Sequence, residues 1–336
     1  MGVFVVTGGA GFIGSCFVRL LAAERPDSRI LTLDLLTYAG NLENLAGVPA
    51  DRHAFLRADV ADPDARRAAI PEGAEAVVNF AAETHVDRSI LGPEAFVRTN
   101  VLGAQVLLET CRAKGARRFV QVSTDEVYGA LGPEEPPWSE DRPLRPSSPY
   151  AASKAGADLL VAAAHRTHGQ DVCITRCSNN YGPCQFPEKL VPLTITNALQ
   201  DREVPVYGDG RQQRDWIAVE DHARAILTVA ERGRAGAVYN IGARCERFNV
   251  DVVREVLRLL GKPESLIRFV QDRPGHDRRY AMDPGRIEAE LGWRPRVAFA
   301  DGLAATVRWY REHEAWWRHV KDGSYRAFYD AWYGGR

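Results

Sequence analysis

Val3-Phe4-Val5-Val6-Thr7-Gly8-Gly9-Ala10-Gly11-Phe12-Ile13-Gly14 runs a short β-rich segment straight into a glycine loop that opens an amphipathic helix. Gly9, Gly11 and Gly14 satisfy G-x-G-x-x-G. The first glycines permit a tight turn, the middle one lets backbone approach a pyrophosphate, and the last lets helix and strand pack closely. Free N–H groups at the helix start then face the phosphate. Asp34 ends the next strand candidate, 20 residues after Gly14. A carboxylate there accepts from ribose hydroxyls and repels a 2′-phosphate, which favours NAD over NADP. Working outward, strands are expected at 3–7, 30–34, 54–58, 76–80, 118–122 and 172–176, with helices such as 13–24 and 101–114 between them. This alternation predicts an α/β fold, a Rossmann-type doubly wound parallel sheet, with ligands at the carboxyl ends of its strands.

The rest of the 336 residues sets bounds. At 45% apolar and 26% charged, the composition is that of a globular protein. A net charge of −1 argues against a nucleic-acid or anionic-membrane partner. No apolar run approaches a membrane span, and Val3–Val6 is too short for a signal-peptide core. The six cysteines form no CxxC pair, so reduced thiols in a cytoplasmic protein are expected. His165 and His168 lack a carboxylate partner at metal spacing and read as solvated surface, so no metal is expected. The second half is less regular, and 238–241 reads as a strand returning to the sheet. The expected division is a nucleotide domain over 1–178 plus about 214–242, and a smaller, interleaved C-terminal substrate domain over 179–213 and 243–336. An amphipathic helix around Trp309, Tyr310, Trp316 and Trp317 is expected to pack on the body.

Two further motifs carry chemistry. Ser148-Pro149 is a good helix start, and Tyr150 and Lys154 then share one helix face. Free tyrosine titrates near 10; an ammonium and the positive nicotinamide ring both favour its phenolate. Following a dinucleotide loop, this pair points to alcohol oxidation. Ser123-Thr124-Asp125-Glu126-Val127-Tyr128-Gly129 follows the fifth strand at the ligand edge. Thr124 can hydrogen-bond the oxygen that Tyr150 deprotonates. Asp125 and Glu126 are either a helix-start pair or an acid and a base, and a dehydration needs both of the latter. Asp59, after the third strand, is either an adenine contact or an ordinary loop residue.

With these residues in view, the chain resembles the extended short-chain dehydrogenase/reductase family nearly end to end. The matching motifs are 8–15, 34–41, 81–89, 123–129, 150–154, 176–183, 185–190, 214–216 and 272–276. Cys184 departs from the pattern, where an aromatic residue is expected. Within the family, the resemblance implies a lyase that converts dTDP-glucose to dTDP-4-keto-6-deoxy-glucose and water through bound NAD. Tyr150 takes the O4 proton, Glu126 the C5 proton, Asp125 protonates the departing C6 hydroxyl, and Thr124 and Lys154 orient and activate. It implies NAD contacts at Gly8, Gly11, Phe12, Ile13, Gly14, Asp34, Leu35, Leu36, Thr37, Asp59, Val60, Ala81, Ala82, Glu83, Thr84, His85, Thr99 and Asn180, besides Tyr150 and Lys154. The sugar nucleotide is assigned to His85, Thr124, Asn179, Lys189, Leu190, Pro205, Val206, Tyr207, Arg214, Asn249, Asp272, Arg273, Pro274, Gly275 and His276. Lys189, Arg214 and Arg273 supply charge for a diphosphate. A homodimer through 101–114 and 150–168 is also implied.

Two other readings use the same motifs. A nucleotide-sugar 4-epimerase or decarboxylase needs Tyr150 and Lys154 but not the Asp125–Glu126 couple. An NAD-sensing protein needs no activated phenol at all.

Overall fold

The computed structural model describes residues 2–62, 64, 69–321 and 329. The end of the expected substrate domain, 322–336, lies outside the described residues except for Tyr329. Seven strands form one parallel sheet: β1 (Val3–Thr7), β2 (Arg29–Asp34), β3 (His53–Arg57), β4 (Ala76–Asn79), β5 (Phe119–Thr124), β6 (Val172–Cys177) and β10 (Val238–Ile241). Their order is β10-β6-β5-β4-β1-β2-β3, so the direction of winding reverses between β1 and β4, where a crevice opens. Val238 pairs with Ile174, as expected of a returning strand.

Alternate residues of each strand point to opposite faces, and both faces are covered. Phe4, Val6, Val78 and Val120 pack with Phe17 and Leu21 of α1 (Phe12–Glu24) and with Ile226 and Val229 of α6 (Val219–Arg232). Val5, Val77, Phe119 and Ile174 pack against Leu107 and Cys111 of α3 (Gly103–Ala113) and Val161 of α4 (Pro149–His168). α2 (Val86–Leu91) precedes α3, and α3 continues a π-type turn over Val97–Leu102, so the helix expected at 101–114 begins two residues later in regular form.

Two small sheets stand beside the large one. β7 (Asn179–Tyr181) and β11 (Glu246–Phe248) flank β9 (Gln213–Ala218), and β8 (Val204–Tyr207) pairs with β12 (Ile267–Val270). α5 (Leu190–Leu199), α7 (Asn249–Leu260) and α8 (Phe299–Glu312) pack there with α9 (Glu314–Val320), burying Tyr310 and Trp317. The aromatic-rich C-terminal helix is thus two helices, broken at His313.

Two expectations are corrected. β5 does not stop at Val122. Ser123 and Thr124 pair with Arg176 and Cys177, so the strand carries Thr124 itself to the ligand edge. His165 is not solvated surface, because its ring packs on Gly236 and its Nδ1 lies 2.9 Å from the Gln170 carbonyl.

Candidate active site

The glycine loop shapes one wall of the crevice. Gly8 is the residue in left-handed conformation (φ 67°), and a Cβ there would sit 2.5 Å from the Ala81 nitrogen. The tight turn therefore falls one residue before the first glycine of the motif. A Cβ on Gly14 would collide with the Gly8 carbonyl, so helix and loop meet there without room for a side chain. A Cβ on Gly11 would meet only the Gly8 carbonyl oxygen, at 3.3 Å, and Gly11 lines the cavity. That glycine keeps open the space a ligand's pyrophosphate needs.

Asp34 ends β2 and receives the Ala10 N–H on Oδ2 (2.9 Å) and the Leu36 N–H on Oδ1 (2.8 Å). Each oxygen keeps a lone pair for a ribose hydroxyl. Leu36 adopts φ 57° to make that contact, and its side chain packs on the core, off the cavity. Asp59 pairs with Arg98 (2.5 Å) at the cavity edge. Asn100 ties the far wall together: it bonds both backbone groups of Glu83 (2.9 and 3.0 Å) and donates to Ser153 Oγ (2.8 Å).

The cavity measures about 330 Å³, within the range of small-molecule sites. It continues from the glycine loop to the ends of β5 and β6. Thr124 caps a 3₁₀ turn, Asp125–Tyr128, by accepting the Glu126 N–H (3.3 Å). Gly129 ends the turn at φ 81°, where a Cβ would strike the Arg145 carbonyl. Ser148 caps α4, with Pro149 at its first position, and Tyr150 and Lys154 face the same cavity as Thr124, Asp125 and Glu126. Lys154 Nζ donates to the Val122 carbonyl (2.7 Å), and burial pushes its pKa down to about 8. Burial, with Glu126 beside it, pushes the Tyr150 phenol well above its usual range, while a hydrogen bond with Thr124 pulls the other way.

The two adjacent carboxyls sit in unequal surroundings. Asp125 is buried, and burial together with the charge of Glu126 holds its pKa well above the aspartate range. Its Oδ1 receives the Thr124 hydroxyl (3.2 Å); its Oδ2 is buried and has no hydrogen-bond partner among the described residues. Burial also raises Glu126, but Arg273, Lys189 and Arg214 all pull it back toward the carboxylate. One group is thus held as an acid and the other remains the better base.

Those three cations come from three segments. Lys189 precedes α5 and donates to the Thr84 carbonyl (2.9 Å). Arg214 is buried on β9, donates to the Gln213 and Asp277 carbonyls (both 2.8 Å) and lies over the Tyr280 ring. Among the described residues it pairs with no carboxylate, so its charge is available to an anion. Arg273 approaches Asp87 (3.5 Å), which also accepts from the Tyr207 hydroxyl (2.8 Å). His276 is held neutral by burial and by Arg273 and Arg214, its Nδ1 2.6 Å from Asp272.

Of the residues expected to contact ligand, Gly8, Gly11–Gly14, Asp34, Leu35, Thr37, Asp59, Val60, Ala81–Thr84, Thr99, Asn179, Asn180, Lys189 and Leu190 line the cavity with the five reactive residues. Leu36, His85, Pro205–Tyr207, Arg214, Asn249 and Asp272–His276 do not. Val206, on β8, is turned into the core with Val253 and Leu257, and His85 instead caps α2. Glu188 was missed. It lines the cavity, pairs with Arg88 (3.3 Å), and burial pushes its pKa up to about 7. Cys184, in place of the expected aromatic, has φ 65° and borders a second hollow with Tyr38, Phe186 and Trp316.

The family model of GDP-mannose 4,6 dehydratase matches residues 5–306. A dTDP-glucose 4,6-dehydratase of Streptomyces niveus is 52% identical over 94% of this chain and 95% of its own. The crystal structure of DesIV, a dTDP-glucose 4,6-dehydratase from Streptomyces venezuelae with NAD and TYD bound, superimposes with a TM-score of 0.92. It is 53% identical and covers 96% of this chain and 100% of that one. The UDP-glucose 4-epimerase of Thermus thermophilus in complex with NAD is more distant, at 33% identity and a TM-score of 0.85 over 93% of this chain and 100% of that one.

Proposed function

The chain belongs to the GDP-mannose 4,6-dehydratase family, and from that membership we propose that it is a lyase converting dTDP-glucose to dTDP-4-keto-6-deoxy-glucose and water. The observation that carries this reading within the family is the unequal pair Asp125 and Glu126. An epimerase has no use for an acid and a base poised together beside Tyr150.

The glycine cradle, with Gly11 open to the cavity and Asp34 keeping lone pairs for ribose, fits NAD. Gly8–Gly14, Asp34, Asp59, Ala81–Thr84, Thr99 and Asn180 would hold it. Bound there, NAD+ takes up the C4 hydride and gives it back at C6, so no redox equivalent is consumed. Tyr150 accepts the proton of the C4 hydroxyl, oriented by Thr124. Burial and the charge of Glu126 hold the phenol well above its usual range, so its use as a base would depend on positive charge brought close, which Lys154 and the oxidised ring of bound NAD would supply. The resulting ketone acidifies C5. Glu126 then removes the C5 proton, and Asp125 gives its proton to the C6 hydroxyl as the C6–O bond breaks and water leaves. A proton returns to C5 as hydride reaches C6. Lys189 at the cavity wall, with Arg214 and Arg273 outside its lining, would supply positive charge for the diphosphate.

Three wider statements belong to this reading. The protein works as a homodimer: Leu91, Val97, Leu102 and Leu159 are 67, 55, 47 and 63% exposed on α2, the π-type turn and α4, elements that touch one another. Such a face is suited to a second copy. It resides in the cytoplasm, in keeping with six free cysteines and, among the described residues, no helix able to cross a membrane. The division into a nucleotide domain and an interleaved substrate domain is kept, supported by the packing of α6 on α1.

The test is a panel of dTDP-, UDP- and GDP-glucose with product analysis. A 4-keto-6-deoxy sugar formed fastest from dTDP-glucose is expected. A product that keeps its C6 hydroxyl refutes the reading.

A further inference from the structure

Behind the reactive residues lies a buried polar chain whose members do not line the cavity. Tyr128 closes the 3₁₀ turn that begins at Asp125. Its hydroxyl donates to Asn240 Oδ1 on β10 (2.7 Å) and accepts from Arg176 Nη1 on β6 (2.9 Å). Arg176 Nε donates to Asp158 Oδ2 (2.9 Å). Asp158 stands on α4, one turn past Lys154 and two past Tyr150. Asn240 is itself fixed, donating through Nδ2 to the Trp138 carbonyl (2.8 Å) and through its N–H to Glu140 (2.9 Å). Arg176, Asp158, Tyr128 and Asn240 are all buried.

One guanidinium therefore joins the turn that carries the acid–base couple to the helix that carries the oxidising pair. Stability alone is a weak reason for such an arrangement, because a buried ion pair of this kind is often no better than apolar side chains of the same volume. Geometry is a better one. Along the chain the two elements are joined only through the long connection 129–148, yet they must hold their reactive atoms at fixed separations on one small ring. Arginine suits the task, since its planar fork sends Nε and Nη1 in two set directions at once, and lysine offers only a point charge.

We propose that Arg176 is a positioning residue, which sets Asp125 and Glu126 against Tyr150 and Lys154 so that elimination follows oxidation on the same bound sugar. This rests on the dehydratase reading and deepens it. Misplacement of about 1 Å costs on the order of 100-fold in rate. A fault in this clamp should fall on the second half of the reaction, because Tyr150 and Lys154 share their own helix and remain in register with each other.

The test compares wild type, Arg176→Lys and Tyr128→Phe, all with NAD bound. Three quantities are followed: kcat and KM for dTDP-glucose, absorbance of reduced nicotinamide during turnover, and amide hydrogen exchange over 125–129. Expected for Arg176→Lys is a kcat at least about tenfold lower with KM within about twofold. Reduced nicotinamide should build up during turnover, and exchange should quicken in 125–129. Tyr128→Phe, which keeps the ring, should show the same split in smaller degree, and it decides the matter should the lysine variant not fold. The proposal is overturned if a folded variant keeps kcat within twofold, or if kcat falls without build-up of reduced nicotinamide or local exchange. A wild type that yields no 4-keto-6-deoxy sugar defeats the functional reading instead, and the exchange measurement then decides the clamp alone.

Discussion

The Thr124 hydroxyl donates to Asp125 Oδ1 at 3.2 Å, leaving Oδ2 of the same carboxyl buried and, among the described residues, without a partner. An unpartnered buried oxygen is costly to a fold unless it serves a ligand. In Asp125, held protonated by burial and by its neighbour, that oxygen is where a departing hydroxyl can find a proton. Asp125→Asn keeps the shape and removes the transferable proton. Dehydration should slow by about 10²- to 10⁴-fold, the usual reach of a general acid. Glu126→Gln should block elimination while some C4 oxidation persists. Rapid-mixing absorbance for reduced nicotinamide, read beside product analysis, checks both; equal loss of oxidation and elimination contradicts the division of roles.

Tyr150→Phe removes the group placed at the C4 hydroxyl. The first oxidation should be suppressed, so no reduced nicotinamide appears even in a single turnover. Its rapid appearance in this variant would show that another group is the base.

The pH profile has two limbs with opposite demands. Glu126 must be ionised to take the C5 proton, and its pKa lies above the ordinary glutamate value. Activity should therefore be lost as pH falls through a point above 4.5. Lys154 must be charged, and burial brings it down to about 8, so activity should fall as pH rises through that region. Stability moves the other way there. Between about 8 and 10.5 the unfolded chain binds the lysine proton that the folded chain has released, so the Lys154 contribution to stability rises with pH. Paired measurements of kcat/KM and of denaturant midpoint across pH 7–10 check the divergence.

The glycines separate folding from binding. Gly14→Ala forces a Cβ into the Gly8 carbonyl and should disrupt the loop and lower the thermal midpoint. Gly11→Ala meets little protein and should fold, yet its methyl occupies ligand space. Isolated Gly11→Ala should carry markedly less NAD, while the NAD-free variant and NAD-free wild type should unfold at similar midpoints. Full NAD content would contradict the placement of the pyrophosphate.

What was legible in the sequence was what short spacing encodes. Tyr150 and Lys154 are one helical turn apart, and the glycine loop, β1 and Asp34 fall within one βαβ unit. Ser123 and Thr124 favour turns by composition, yet pairing with Arg176 and Cys177 extends the fifth strand through them. Glu188 was not legible, since its environment is made by Arg88, 100 residues away in sequence. The same holds for the clamp: Tyr128, Asp158, Arg176 and Asn240 share no local pattern and meet only in the folded chain. The three-stranded sheet rests on segments rich in polar residues, such as Asn179–Tyr181 and Glu246–Phe248, so no apolar run marks its strands.

The most direct measurement is turnover of dTDP-glucose by the purified protein in deuterated water, with the product read by NMR and mass spectrometry. The account predicts a 4-keto-6-deoxy sugar with deuterium at C5, the C4 hydrogen carried to C6, and no net gain of reduced nicotinamide. A product still bearing its C6 hydroxyl, or one whose C5 hydrogen has not exchanged, would contradict it.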